Sequence, residues 1–248
     1  CLLSAAFQSN PSLEEKLEQT ENEESRLAPD EAVRRYEALL REFEALSQPV
    51  GVSRAKLGLC RLTARRDPAK AEELARSALD LLRGAKSVRF EAMANFELAG
   101  VLVARGKLDD ALRHYQAALP GFRQARDSFQ EGRTLNGIGN VYFLTGFREK
   151  AWESYMASYS IARDTQNDVL LSRSLNNLGR AYDSLGEHRK AIEYHEKALA
   201  MRERVYARRD HPEIALSFRN LGVAYYSLGE HRRAIEYHEK SQAMRERL

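Results

Sequence analysis

The stretch from Leu178 to Lys197 recurs almost unchanged from Leu221 to Lys240, at an offset of 43 residues. A chain that copies itself at this spacing is built from units that each bury only part of their apolar surface. Such units must stack on one another, and the array grows in one dimension instead of closing into a single globule. Looser copies lie upstream: Leu178-Gly179 is preceded by Ile138-Gly139 and Leu98-Ala99 at steps of 40, and Leu57-Gly58 lies 41 residues before Leu98. This spacing predicts five paired units and a lone second helix at Asp30–Leu46.

Each unit has the same internal order. A large apolar residue is followed by a small one and, three further on, by Leu or Tyr: Leu98/Ala99/Leu102, Ile138/Gly139/Tyr142, Leu178/Gly179/Tyr182 and Leu221/Gly222/Tyr225. Glycines 106, 146, 186 and 229 then end that helix, because glycine takes the left-handed conformation of a helix stop without steric cost. Ala111, Ala151, Ala191 and Ala234 follow five residues later and open the apolar stripe of a second helix, at a point where small residues let helices approach. Charged residues make up 30% of the chain and prolines number six, a composition suited to helices. The expected fold is all-α: antiparallel helix pairs near 50–65/68–83, 90–105/108–125, 129–145/148–165, 168–185/188–207 and 211–228/231–248, wound as a right-handed superhelix with a concave side.

This order resembles the tetratricopeptide repeat (TPR) superfamily, an α-solenoid family, across about residues 48–248. The repeats of 40–43 residues are longer than the family's usual ~34. Long repeats of this kind are similar to those of kinesin light chains and of the LGN/Pins adaptors. Arg202-Glu203-Arg204-Val205 with Asp210-His211-Pro212-Glu213-Ile214-Ala215 resembles the kinesin light chain linker, and Tyr194-His195-Glu196 and Tyr237-His238-Glu239 resemble LGN-type second helices. Ala118-Leu119-Pro120 with Glu131-Gly132-Arg133 resembles bacterial arrays that precede CHAT-type protease domains. The first unit departs from the pattern, with Arg65-Arg66-Asp67-Pro68 in place of the glycine turn and Lys70 before Ala71. The chain stops at Arg245-Glu246-Arg247-Leu248, without the polar capping helix that usually closes an array, so the natural chain is expected to continue.

Charge divides the chain. Residues 1–30 carry a net −5 and the remainder +8. Residues 1–29 read as an acidic leader and residues 30–248 as the repeat array, and an acidic leader beside a basic body predicts that residues 12–26 fold back onto the groove of this or a neighbouring molecule. No Lys/Arg-rich block or nucleic-acid module accompanies the excess of positive charge, which argues against a nucleic-acid partner. No run reaches the ~20 apolar residues of a membrane span. Cys1 stands where a lipid anchor stands in a mature bacterial lipoprotein; an arbitrary chain start is the alternative. The compartment is accordingly either cytoplasmic or, with a processed Cys1, exported and lipid-anchored. Cys60 reads as a small buried residue.

Catalytic chemistry is not legible. Gly100 to Gly106-Lys107 has the wrong gap for a phosphate-binding loop and Leu108 where Ser/Thr belongs. His188/His195 and His231/His238 are seven apart and share a helix face, but no further metal ligands join them, and they read as replacements for packing tyrosines. The expectation is no catalytic residue, no metal and no cofactor.

The first helices carry a different pattern. Arg133, Asn136 and Asn140 stand at i, i+3 and i+7 and share one face, and Arg173, Asn176 and Arg180 take the same positions one unit later. Arg219 continues the Asn136/Asn176 row, beside Asn177 and Asn220. Asparagine amides both donate and accept, so they can hold a peptide backbone whatever its sequence, and arginines add charge-assisted bonds to carboxylates. The resemblance places first helices on the concave side. Together these imply a peptide-binding track preferring acidic ligands, with Phe96, Phe143 and Tyr226 as apolar footholds, in a non-catalytic scaffold or adaptor. The alternative is the sensor region of a larger signalling enzyme, a CHAT-type protease or an NTPase, with catalysis outside this chain.

Overall fold

The computed structural model describes residues 11–83, 85 and 87–248; Cys1, and with it the anchor reading, lies outside the described residues. Twelve helices are present among the described residues: α1 (Leu13–Glu23), α2 (Pro29–Ala45), α3 (Pro49–Thr63), α4 (Pro68–Leu82), α5 (Val88–Ala104), α6 (Leu108–Gln124), α7 (Ser128–Leu144), α8 (Arg148–Asp164), α9 (Asp168–Ser184), α10 (His188–Val205), α11 (Pro212–Ser227) and α12 (His231–Glu246). Odd-numbered helices are the first and even-numbered the second of each antiparallel pair. The five expected pairs are α3/α4 through α11/α12.

Local chemistry sets the helix ends. Pro29, Pro49, Pro68 and Pro212 each stand in the first turn of a helix, where a missing N–H costs nothing and the fixed φ is already helical. Side chains of Ser12, Asp67, Asp127 and Asn167 accept hydrogen bonds from backbone amides of the first turn, each cap contributing about 1 kcal/mol. Gly106, Gly146, Gly186 and Gly229 have φ of 73, 84, 80 and 86°, the left-handed stop that the sequence predicts. At the irregular first unit no such glycine is needed, because Asp67 and Pro68 restart the chain as a cap and first turn.

The chain forms two compact units, one up to Gly121 and one from Phe122. In the first, Asp30–Leu46 is not a lone helix. The acidic segment before it folds as α1 and packs on α2 and α3. Sequence periodicity misses α1 because only Leu17 and Thr20 of its residues are buried. It is held by Leu17, fully buried in a cluster with Tyr36, Leu39 and Phe43, and by ion pairs. Glu14 and Glu21 both pair with Arg54 at 2.7 Å, Glu23 pairs with Arg35, and Glu24 pairs with Arg61 and accepts from the Tyr36 hydroxyl. Burial opposes ionisation of Glu24, but the bonds from Arg61 and Tyr36 outweigh it and hold its carboxyl below the usual range. The sequence predicts the leader on the groove; residues 13–23 instead pack as a further helix on α2 and α3 of their own unit. Cys60 is buried, and burial pushes its thiol up to about 12, so it behaves as a small apolar residue.

In the second unit, consecutive helices pack in order and each first helix also touches the next, α7 on α9 and α9 on α11. The small residue of each first helix lies under a ring of its own partner helix. A Cβ on Gly139 would meet Tyr155 at 2.5 Å, on Gly179 the His195 ring at 2.6 Å, and on Gly222 the His238 ring at 2.7 Å. His195 thus stands where Tyr155 stands one unit earlier.

Candidate functional site

The contacts between α7, α9 and α11 form a continuous face of first helices. The three buried asparagines on it point into the seams. Asn136 donates to the Ser158 and Ser174 hydroxyls at 2.8 and 3.2 Å, and its carbonyl accepts from Asn177 Nδ2 at 3.1 Å. Asn220 Nδ2 donates to Asn176 Oδ1 at 2.9 Å, repeating that bond one unit on. Asn136, Asn176 and Asn220 are 7, 4 and 8% exposed. Their amides are already engaged between helices, since a buried polar group must find its partner inside the protein.

The arginines point outward. Arg133 is half-buried, donates to Gln130 Oε1 and lies over the Phe129 ring. Arg180 is half-buried, lies 4.5 Å from the Phe143 ring centroid and is 3.4 Å from Asn140 Oδ1. The same oxygen accepts from the Tyr155 hydroxyl at 2.8 Å. Arg173 is half-buried and Arg219 exposed. Among the described residues, no carboxylate lies within ion-pair distance of Arg173, Arg180 or Arg219, in contrast to Arg54 and Arg61 of the first unit. The structure therefore brings the nine residues onto adjacent helices, but separates them into buried ties and an outer set of Arg133, Asn140, Arg173, Asn177, Arg180 and Arg219.

Of the expected footholds, Phe143 carries Arg180 and Tyr226 is 64% exposed, whereas Phe96 is buried edge-on against Tyr115 and offers no ligand surface. Spacing alone missed the seam bonds. Their signal was Ser158, a hydroxyl at a helix-contact position where Ala118 and Ala198 stand in neighbouring units, all three fully buried. The five histidines of the second helices take different roles: His114 meets Asn95 Oδ1, His188 donates to the Asp183 carboxylate, His195 is buried, and His231 and His238 are exposed. Among the described residues no group of His, Cys, Asp and Glu could hold a metal ion, and no helix is long and apolar enough to cross a membrane.

Stacked antiparallel helix pairs, glycine-stopped and presenting a polar face of first helices, define an all-α solenoid repeat protein. The chain belongs to the tetratricopeptide repeat family: family profiles match residues 90–164, 130–204 and 214–248. No curated protein sequence matches it. Among solved structures it is similar to BtubC (BKLC) from P. vanneervenii, at 20% identity and TM-score 0.69, covering 95% of this chain and 92% of that one. A STAND signal-transduction ATPase with a tetratricopeptide repeat sensor, from Pyrococcus horikoshii, gives 18% identity and TM-score 0.68 over 93% of this chain and 42% of that one. A Rap protein complexed with Competence and Sporulation Factor gives 15% identity and TM-score 0.67 over 94% and 76%. At these identities the likeness is one of fold. A tetratricopeptide fold is that of a protein-interaction scaffold or a regulatory sensor.

Proposed function

We propose that the face of α7, α9 and α11 binds an extended acidic segment of a partner protein, without catalysis. One observation carries this reading: Arg173, Arg180 and Arg219 stand on adjacent helices at or near the surface with no carboxylate of their own. Arg54 and Arg61 of the first unit are matched to acids of their own; here the acids are left for a ligand. Arg180 is also pre-set, since stacking on Phe143 fixes its guanidinium plane and lowers the side-chain entropy lost on binding. Asn140 and Asn177 are partly exposed beside it and suit a peptide backbone. The buried Asn136, Asn176 and Asn220 serve this face by holding the helices in register.

The test is Arg173→Glu with Arg180→Glu, titrated calorimetrically with an extended Asp/Glu-rich peptide. Each charged hydrogen bond contributes roughly 1.5–3 kcal/mol, so affinity should fall at least about tenfold, or ~1.4 kcal/mol, with unchanged helicity. Wild-type binding should weaken as salt rises. Equal affinity of the double variant and the wild type would defeat the proposal.

The fold likeness to the sensor of a STAND ATPase, which this chain matches over less than half of that protein's length, favours a second reading. In it the same face receives the signal for an enzymatic part, a protease or an NTPase, on a longer polypeptide. The double variant tests that reading too, because the ligand face is shared and only the consequence of binding differs.

A further inference from the structure

The buried bonds behind the first-helix face fix which way its outer amides turn. Ser158 donates to the Gly132 carbonyl at 2.8 Å and Ser174 to the Leu170 carbonyl at 3.1 Å. With both hydroxyl hydrogens spent on carbonyls, the amide prong of Asn136 that meets the two hydroxyls is the NH2. Its other prong, Oδ1, therefore faces Asn177, and the Asn177 group that meets it at 3.1 Å is again the NH2. Asn177 is left with Oδ1, an acceptor, free.

Asn140 is turned the opposite way. An arginine only donates, so the Asn140 atom 3.4 Å from Arg180 Nη1 is the oxygen, which also takes the Tyr155 hydroxyl. Asn140 is left with Nδ2, a donor, free. Both side chains are half-buried and both free atoms reach solvent. Arg180 stands between them, stacked on Phe143. Asp183, one turn further along α9, is held by His188 at 2.7 Å and does not neutralise it. These groups lie in the interior of the unit, where α9 contacts α7, α8, α10 and α11.

We infer that Asn177, Asn140 and Arg180 read one glutamate of the partner segment as a unit: Asn177 Oδ1 accepts its main-chain N–H, and its carboxylate takes bonds from Arg180 and Asn140 Nδ2. This rests on the acidic-segment reading of the face and names what one position of that segment must be. Asn177 and Arg180 are one helical turn apart, with Cβ atoms about 5–6 Å apart. The carbons between the main-chain nitrogen and the carboxyl of a glutamate span such a gap; aspartate is one carbon short. A carboxamide fails at the same place, because its NH2 would face a donor-only pair. Arg173 and Arg180 stand seven residues apart on α9, ~10 Å along its axis, which matches about three residues of extended peptide. A second acid three residues away then reaches Arg173.

The probe is a capped twelve-residue Ser/Thr peptide with Glu at its fifth and eighth positions, titrated calorimetrically into the full chain. Each Glu is changed in turn to Gln, to Asp and to N-methyl-Glu. At one of the two positions, Gln should weaken binding at least about tenfold, equivalent to ~1.4 kcal/mol, and N-methylation should weaken it about threefold or more. Asp at that position should bind less well than Glu. In Arg180→Gln the loss on changing that Glu to Gln should largely vanish, and in Asn177→Ala the loss on N-methylation should vanish, the two cycles isolating each contact. N-methylation without effect at either Glu, or felt at a different Glu from the one coupled to Arg180, overturns the inference; this comparison needs only the wild-type chain. If Arg173→Glu with Arg180→Glu abolishes binding while those couplings are absent, the face stands and the glutamate subsite falls. If the unmodified peptide does not bind, both fall.

Discussion

One ring-and-glycine contact recurs through the second unit with different chemistry each time. Tyr155 lies over Gly139 and donates its hydroxyl to Asn140. One unit later His195 lies over Gly179, and Arg180 stands where Asn140 stood, so no acceptor remains for a hydroxyl. His195 Nδ1 has no hydrogen-bond partner. Burial, reinforced by the charges of Arg202 and Arg180, holds the imidazole neutral and its pKa down to about 3. The unfolded histidine takes up its proton near pH 6.5, so between these values the unfolded state binds more protons and stability rises with pH. The stabilisation is present above about pH 6.5 and is lost as pH falls toward 3. The melting temperature of the wild type should therefore drop between pH 7 and pH 5, and His195→Tyr should flatten that slope; parallel slopes would show that His195 is accessible to protons. Gly179→Ala places its Cβ 2.6 Å from the same ring. Overpacking of this kind costs ~1–3 kcal/mol, so the variant should melt several degrees lower, and a melting point equal to wild type would mean the ring moves aside freely.

At the scale of elements, the turns divide into two kinds. Within each pair from α5/α6 onward a glycine ends the first helix in the left-handed region, with nothing within 4 Å of where its Cβ would be. Between pairs the same conformation falls on Ser47, Arg126, Gln166, Ala207 and Arg208, all with φ between 50 and 56°. A left-handed residue other than glycine carries a penalty of ~1–2 kcal/mol, partly offset because glycine loses more entropy on folding. Gln166, exposed between α8 and α9, is the plainest case. Gln166→Gly should raise the stability of the second unit by about 0.5–1 kcal/mol in urea melts. A lower midpoint would show that the Gln166 side chain contributes more than its backbone costs.

Over the whole molecule, charge is matched locally rather than globally. The net −5 of the first thirty residues is taken up within the first unit, by Arg35, Arg54 and Arg61, while Arg173, Arg180 and Arg219 of the second unit have no acid partner among the described residues. Arg54 is the most deeply placed of these cations, its side chain 8% exposed. Replacing both of its partners, Glu14→Gln with Glu21→Gln, leaves a buried cation uncompensated, which is far more costly than losing a surface pair. Because a repeat array is stabilised unit by unit through neighbours, hydrogen exchange should quicken in α1, α2 and α3 and stay unchanged in α9 to α12. Quickening throughout would mean that the chain opens as one cooperative body.

Sequence alone determined the repeat, the helix pairs, their glycine stops and the presence of arginine and asparagine on one face of the first helices. These follow from local rules, since apolar period, proline and glycine act within a turn or two of where they stand. The recurrence of a small residue at Gly139, Gly179 and Gly222 was legible too, and the structure sets each against a ring of its partner helix. Tertiary structure decided three things that no local pattern carries. It made α1 part of the array, because Leu17 packs in a cluster with Tyr36, Leu39 and Phe43 and its acids meet arginines 12 to 40 positions away. It turned Asn136, Asn176 and Asn220 inward, because a seam 38 to 44 residues apart in sequence supplies their partners. And it buried Ile192 in a cluster with Leu221, Ala224 and Tyr225, because which helix lies against a face is settled by the stack and not by the sequence of the face itself.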